Sequence, residues 1–204
     1  MIKEFYKEKT YREGNHRSFI GGLWDTMGSL QIDMLKKYGM KPNNTLLDIG
    51  CGCFRLGVKA IPFLDKNNYY GVDIVESLIT DGIKKELCPE LLEKKTPTFL
   101  VNGDFQFKNL ETYFDFIIAQ SVFTHLPIPR VKECLANARQ VLRPNGCFFA
   151  SIFEAPSRDT TTYCEPYYVH TSFYKEIADE VGLRFNYIGD WGHPRNQKLI
   201  EFSL

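Results

Sequence analysis

The chain has 204 residues, 44% hydrophobic and 25% charged, ordinary proportions for one globular domain with its own core. Lysine plus arginine balance aspartate plus glutamate at 25 each, which argues against a nucleic-acid or membrane-surface partner held by bulk charge. No apolar run approaches the roughly 20 residues of a membrane span, and the polar start MIKEFYKEK lacks the apolar stretch of a secretory signal. A soluble, cytoplasmic, single-domain chain over 1–204 is expected. Its six cysteines show no zinc spacing and read as reduced thiols.

Residues 1–20 are polar and read as a surface arm or lid. Leu23, Trp24, Met27, Leu30, Met34 and Leu35 then fall near helical spacing, with Gly39 as the stop, so that 1–40 forms an N-terminal helical lid. Strands are expected at 45–49, 69–72, 98–102, 114–119 and 147–153. Between them lie a helix after the glycine turn at 50–52, one over about 76–87 ending near Cys88-Pro89, and a short one around 106–112. Pro127 and Pro129 open the clearest helix, in which Val131, Cys134, Leu135, Ala138, Val141 and Leu142 share one face before Pro144-Asn145-Gly146 stops it. Residues 154–170 show no period, and a structureless loop of that length is usually functional, here as a substrate loop. A helix from Thr171 to Gly182 and two strands, 184–189 and 197–203, finish the chain. Strands alternating with helices give an α/β fold, a doubly wound seven-stranded sheet that is mostly parallel with an antiparallel last strand.

The stretch Leu46-Leu47-Asp48-Ile49-Gly50-Cys51-Gly52 organises the rest. An apolar run, an acid and two glycines form a strand that turns tightly into a helix, and glycine allows positive φ and close approach of a ligand. Each of the first four strands ends in a polar group: Asp48, Asp73, Asp104 and Gln120-Ser121. Asp73 stands 21 residues after Gly52, the spacing at which an acid accepts both ribose hydroxyls of a nucleoside. A dinucleotide-binding fingerprint would need a third small residue where Arg55 stands, and Gly57 comes two positions too late.

The segments LLDIGCG, YYGVDI, VNGDF, FDFIIAQSVFTHL and VLRPNGCFFASIF, in that order, resemble the successive motifs of class I S-adenosylmethionine-dependent methyltransferases. The resemblance covers about 44–155, and the closing GDWGHPRNQKLIEF is similar to the end of small stand-alone bacterial members. It implies S-adenosylmethionine as cofactor. Gly50 and Gly52 would lie against its methionine part, with Asp48 supporting the turn. Asp73 is expected on the ribose, Ile74 against the adenine, Asp104 and Phe105 at the adenine edge and ring, and Gln120 near the methionine amino group. The family's third glycine is replaced by Phe54, followed by Arg55. Arg55 is expected either on the cofactor carboxylate or at the surface beside an acidic neighbour.

His125, after the fourth strand, is the expected general base, ahead of His170 and His193, with His16 last. Tyr168, His170 and His193 are expected to bind the substrate, and Trp24, Tyr163 and Tyr167 belong to segments able to cover the pocket. No paired carboxylates follow the fourth strand, so no metal is expected. The resemblance thus implies methyl transfer to a small-molecule acceptor, foremost O-methylation of a sugar, nucleotide-sugar or related metabolite, as in polysaccharide biosynthesis. N-methylation of a small molecule and a non-catalytic cofactor-binding module are the alternatives.

Overall fold

The computed structural model describes residues 15–204; the first fourteen residues of the expected arm lie outside the described residues. The chain divides into two compact units, one ending at Asp104 and the other running from Phe105 to Leu204.

In the first unit a short helix α1 (His16–Phe19) precedes α2 (Trp24–Lys37), and Gly39, the predicted stop, follows two residues later with φ 93°. Three parallel strands follow, ordered β3 (Thr98–Val101), β2 (Tyr69–Asp73) and β1 (Leu46–Ile49). All four residues of β1 are buried, as expected of a parallel strand covered on both faces. Helices α3 (Gly57–Phe63), α4 (Glu76–Lys85) and α5 (Pro89–Lys95) make the crossovers. Helix α5 is a correction: Cys88-Pro89 reads as the end of a helix, yet Pro89 sits at the first position of a new one. There its missing N–H costs nothing.

The second unit holds β4 (Phe114–Ala119), β5 (Leu142–Glu154), β7 (Arg184–Asp190) and β8 (Lys198–Ser203). It also holds helices α6 (Ile128–Arg139) and α7 (Thr171–Val181). Here β4 and β5 are parallel, and β8 runs antiparallel between β5 and β7. The sequence-predicted class therefore holds: α/β, mostly parallel within each unit, with an antiparallel last strand. Strand β5 starts five residues earlier than its hydrophobic run suggests. Phe114 pairs with Leu142 but Phe116 with Cys147, so Pro144-Asn145-Gly146 bulges inside the strand. Gly146 is needed there, because a Cβ would come 2.9 Å from the Phe114 carbonyl oxygen.

The 154–170 segment is also not structureless. It carries a 3₁₀ turn, Arg158–Thr160, and a short strand β6, Tyr168–Val169, parallel to the end of β5. Thr162 holds it together: its N–H donates to Tyr168 O at 2.8 Å and its Oγ1 accepts from Tyr168 N at 2.7 Å. Such side-chain bonds to the backbone leave no period in the sequence. No helix among the described residues is long and apolar enough to cross a membrane.

Candidate functional site

In the first unit, β1 ends in a turn where Gly50 and Gly52 take φ 71° and 56°. Asp73, at the tip of β2, closes that turn: Gly52 N donates to its Oδ2 and Val75 N to its Oδ1, both at 2.8 Å. An ionised carboxylate has about four acceptor positions. Backbone N–H groups occupy part of that capacity on both oxygens. Burial pushes the Asp73 carboxyl up, and the backbone N–H groups of Val75, Gly52 and Ile74 pull against that rise. Ile74 packs over Gly103, where a Cβ would meet its Cδ1 at 2.8 Å, and the following Asp104 is exposed. The exposed Gly50, with no Cβ, and a carboxylate at the next strand tip fit an adenosyl ligand.

Asp48 lies beneath this turn, buried, and accepts from the Tyr69 hydroxyl at 2.6 Å. Burial raises its carboxyl to about 7 and Asp73 adds to the rise, while Tyr69 and Arg55 oppose it. The folded chain thus keeps a proton that the unfolded chain releases above about 4. Stability should therefore fall as pH rises from about 4 to about 7. Asp48→Asn retains an oxygen acceptor for Tyr69 but has no proton to lose. In urea denaturation across that range, the variant should lack this slope, which is at most about 1.4 kcal/mol per pH unit.

Phe54, in place of the family's third glycine, adopts φ 70° and is fully buried, its ring 4.3 Å from that of Phe99. Two later glycines make room for it: a Cβ on Gly57 would lie 2.7 Å from Phe54 Cβ, and one on Gly82 2.6 Å from its ring. Gly57, out of step with the dinucleotide fingerprint, is thus explained by packing. Gly82→Ala should cost about 1–3 kcal/mol through overpacking, read as a melting temperature lower by roughly 3–10 °C.

Arg55 is buried, and its Nη1 donates to the carbonyls of Ile20 at 3.2 Å and Gly22 at 2.9 Å. The surface arginine beside an acid is therefore corrected: Arg55 anchors the backbone of the segment before α2. That segment lies on the glycine turn, since Ile20 Cγ2 would be 3.0 Å from a Cβ on Gly52. Glu86 ties it down at the other end, accepting from Arg17 Nε at 2.7 Å and Nη2 at 2.6 Å and pairing with His16. Burial alone would raise the Glu86 carboxyl, but the hydrogen bonds from Arg17 and His16 win and hold it low. His16, the last of the candidate bases, is thereby a latch residue. Arg17 also lies over the Trp24 ring at 4.5 Å.

In the second unit, His125 follows β4 in a 3₁₀ turn, and its Nδ1 hydrogen-bonds Glu165 Oε1. Glu165 escaped sequence reasoning because it is 40 residues away, in a segment without periodicity. The two are held together by backbone as well: Tyr167 N donates to Thr124 O at 2.9 Å. Gln120 is buried at the end of β4, its amide 3.3 Å from His193 Nε2, and His193 Nδ1 accepts from Arg195 N at 3.1 Å. Below them, Ser121 and Ser151 both donate to Gln197 Oε1, at 3.0 and 2.7 Å. Phe105, with φ 58°, is buried under the Arg130 guanidinium, 4.6 Å from its ring. His170 is the N-cap of α7, its Nδ1 accepting from Ser172 N at 3.3 Å. Tyr168 stacks on Phe153 with ring centroids 4.8 Å apart, and Tyr163 is exposed. Among the described residues, no group of three or more His, Cys, Asp or Glu side chains is placed to hold a metal ion.

Residues 47–148 match the family model of a methyltransferase domain. The ubiquinone biosynthesis O-methyltransferase of Hydrogenovibrio crunogenus is 24% identical over 148 residues, which cover 67% of this chain and 58% of that protein. The chain thus spans a little over half the length of this curated relative. Among solved structures, magnesium protoporphyrin IX methyltransferase from Synechocystis PCC 6803, with S-adenosylmethionine bound, has a TM-score of 0.69 at 20% identity. That match covers 98% of this chain and 95% of the other. Human N-acetylserotonin methyltransferase, also with S-adenosylmethionine, has a TM-score of 0.70 at 16% identity, covering 99% and 58%. At such identities the structures speak for the fold alone, which is Rossmann-like. With half its length matched by the family model, and the motif order of class I in its sequence, the chain belongs to the methyltransferase-domain family of class I S-adenosylmethionine-dependent enzymes.

Proposed function

We propose that the protein transfers a methyl group from S-adenosylmethionine to a hydroxyl of a small polar acceptor, foremost a sugar, a nucleotide-sugar or a related metabolite. The observation that carries this reading is the His125–Glu165 pair. When bound, the cofactor supplies a methyl group already activated on a sulfonium. A neutral amine acceptor would need no base, whereas a hydroxyl gains roughly 10²–10⁴ from one that is positioned. Glu165 accepts at Nδ1, which fixes the tautomer and leaves Nε2 as the proton acceptor. His125 Nε2 takes the acceptor's hydroxyl proton, and the Glu165 carboxylate stabilises the imidazolium that results.

In the first unit, the glycine turn and Asp73 bind the cofactor's adenosyl and methionine parts, with Ile74 and Asp104 contributing to the adenine side. Holding the reacting groups together supplies most of the remaining acceleration. The test is release of S-adenosylhomocysteine in the presence of a panel of hydroxylated and aminated small molecules. Turnover with sugars or related hydroxyl compounds, and none with amines alone, is expected. Turnover confined to amines would overturn the oxygen assignment. Cofactor binding without turnover on any acceptor would favour a binding module.

A further inference from the structure

The end of β5, strand β6 and the turn before β8 border a half-open cavity of about 270 Å³ whose lining includes Phe153, Glu154, Tyr168, Arg195, Asn196 and Lys198. Nothing in the cofactor chemistry uses it. Its position follows from the sheet: β8 is antiparallel to β5, with Ile152 opposite Lys198, so the start of β8 meets the carboxyl end of β5. That end is where ligands bind in α/β sheets.

One wall is aromatic. Phe153 and Tyr168 are register partners across β5 and β6, and their rings stack with only 18° between planes. The lining also carries charge. Arg195 and Lys198 bring two cations, with Asn196 between them in sequence and its Oδ1 accepting from Lys198 Nζ at 2.7 Å. The single carboxylate, Glu154, accepts the Tyr187 hydroxyl at 2.6 Å, a phenol held up at about 12 by burial and by Glu154 itself. The lining therefore combines two aromatic rings, two cationic side chains and one carboxylate that is already hydrogen-bonded. At its size, just below the roughly 300–1,000 Å³ of ligand pockets, it suits a single ring rather than a macrocycle or a polymer.

The backbone ties one wall of the cavity to the His125 turn. Tyr168 follows Glu165 by three residues, and the intervening Tyr167 is bonded to Thr124 O. We propose that this cavity is the acceptor site and that it selects a monocyclic acceptor bearing an anionic group, a phosphate or a carboxylate. The ring packs against the stacked Tyr168–Phe153 pair, and Arg195 and Lys198 hold the anion. Arg195 reads either anion through its planar fork, and Lys198 adds a point charge. The proposal rests on the methyltransferase reading above.

The test is equilibrium binding of D-glucose, D-glucuronate and α-D-glucose 1-phosphate to the full chain saturated with S-adenosylhomocysteine, whose own affinity is measured on the same samples. The two anionic sugars should bind at least tenfold more tightly than glucose, and the stronger of them identifies the anion as carboxylate or phosphate. The preference should weaken severalfold when salt is raised from about 50 to about 500 mM. It should also fall below threefold in the Arg195→Met/Lys198→Met variant while that variant's affinity for S-adenosylhomocysteine is unchanged. Glucose binding as well as its anionic counterparts, or a preference that survives both high salt and the double substitution, would overturn the proposal and leave the cofactor reading standing. Failure of the wild-type chain to bind S-adenosylhomocysteine would instead sink the cofactor reading, and the acceptor site with it.

Discussion

His125→Ala should lower turnover on a hydroxyl acceptor by about 10²–10⁴-fold while leaving S-adenosylhomocysteine affinity within about threefold. The size of the loss follows from the general-base role proposed for the imidazole. A hydroxyl must lose its proton as the new bond forms, and without a base that proton goes to water. Glu165 separates a catalytic pair from a packing contact. Glu165→Ala removes the group that orients Nδ1 and stabilises the imidazolium, so kcat should fall by at least tenfold with little change in KM for the acceptor. Glu165→Gln keeps an oxygen at Nδ1 without the charge, and should recover part of that loss. A merely structural role would lower the melting temperature of both variants and not separate them in kcat. Steady-state kinetics alongside thermal melts of the four proteins settles the matter. A His125→Ala variant with turnover within threefold of wild type would end the assignment.

The second large effect is at Asp73. One carboxylate there accepts from Gly52 N and Val75 N, and under the proposed function it also accepts from the cofactor's diol. Asp73→Ala removes all of them, and hydrogen bonds to a charged group contribute about 1.5–3 kcal/mol each. Cofactor affinity, measured by titration calorimetry, should fall at least a hundredfold. The two N–H groups also lose their partner, so the ligand-free variant should melt at a lower temperature than wild type. Asp73→Asn keeps one oxygen acceptor and should fall between the two in both measurements. If affinity survives Asp73→Ala while the melting temperature drops, the residue only shapes the turn.

Much of the fold, with the glycine turn and the acids at the strand tips, is legible in the amino-acid sequence. The glycine turn, the acids at the strand tips and the strand alternation are local or periodic features, and each leaves a mark at fixed spacing. His125 is legible too, as a histidine just past the fourth strand. Its partner is not: Glu165 comes from a segment held by Thr162, a turn and a two-residue strand, none of which has a period to read. Arg55 shows the same limit. Its Nη1 meets the carbonyls of Ile20 and Gly22, over thirty residues earlier, a pairing that no local pattern beside the glycine turn reveals. Phe54 departs from the family's glycine, and only contacts with Gly57 and Gly82 explain how the turn tolerates it.

By itself the sequence determined the α/β class, the order of its strands along the chain, the glycine turn and the identity of the cofactor's family. These depend on apolar periodicity, on which residues tolerate positive φ and on short motifs, all of them properties of neighbours in the chain. The tertiary structure alone decided which carboxylate meets His125, what Arg55 holds, and that an aromatic wall and two cations share one cavity. Those pairings join residues tens of positions apart. They are settled by packing and by the need of buried polar groups for partners, which no local pattern encodes.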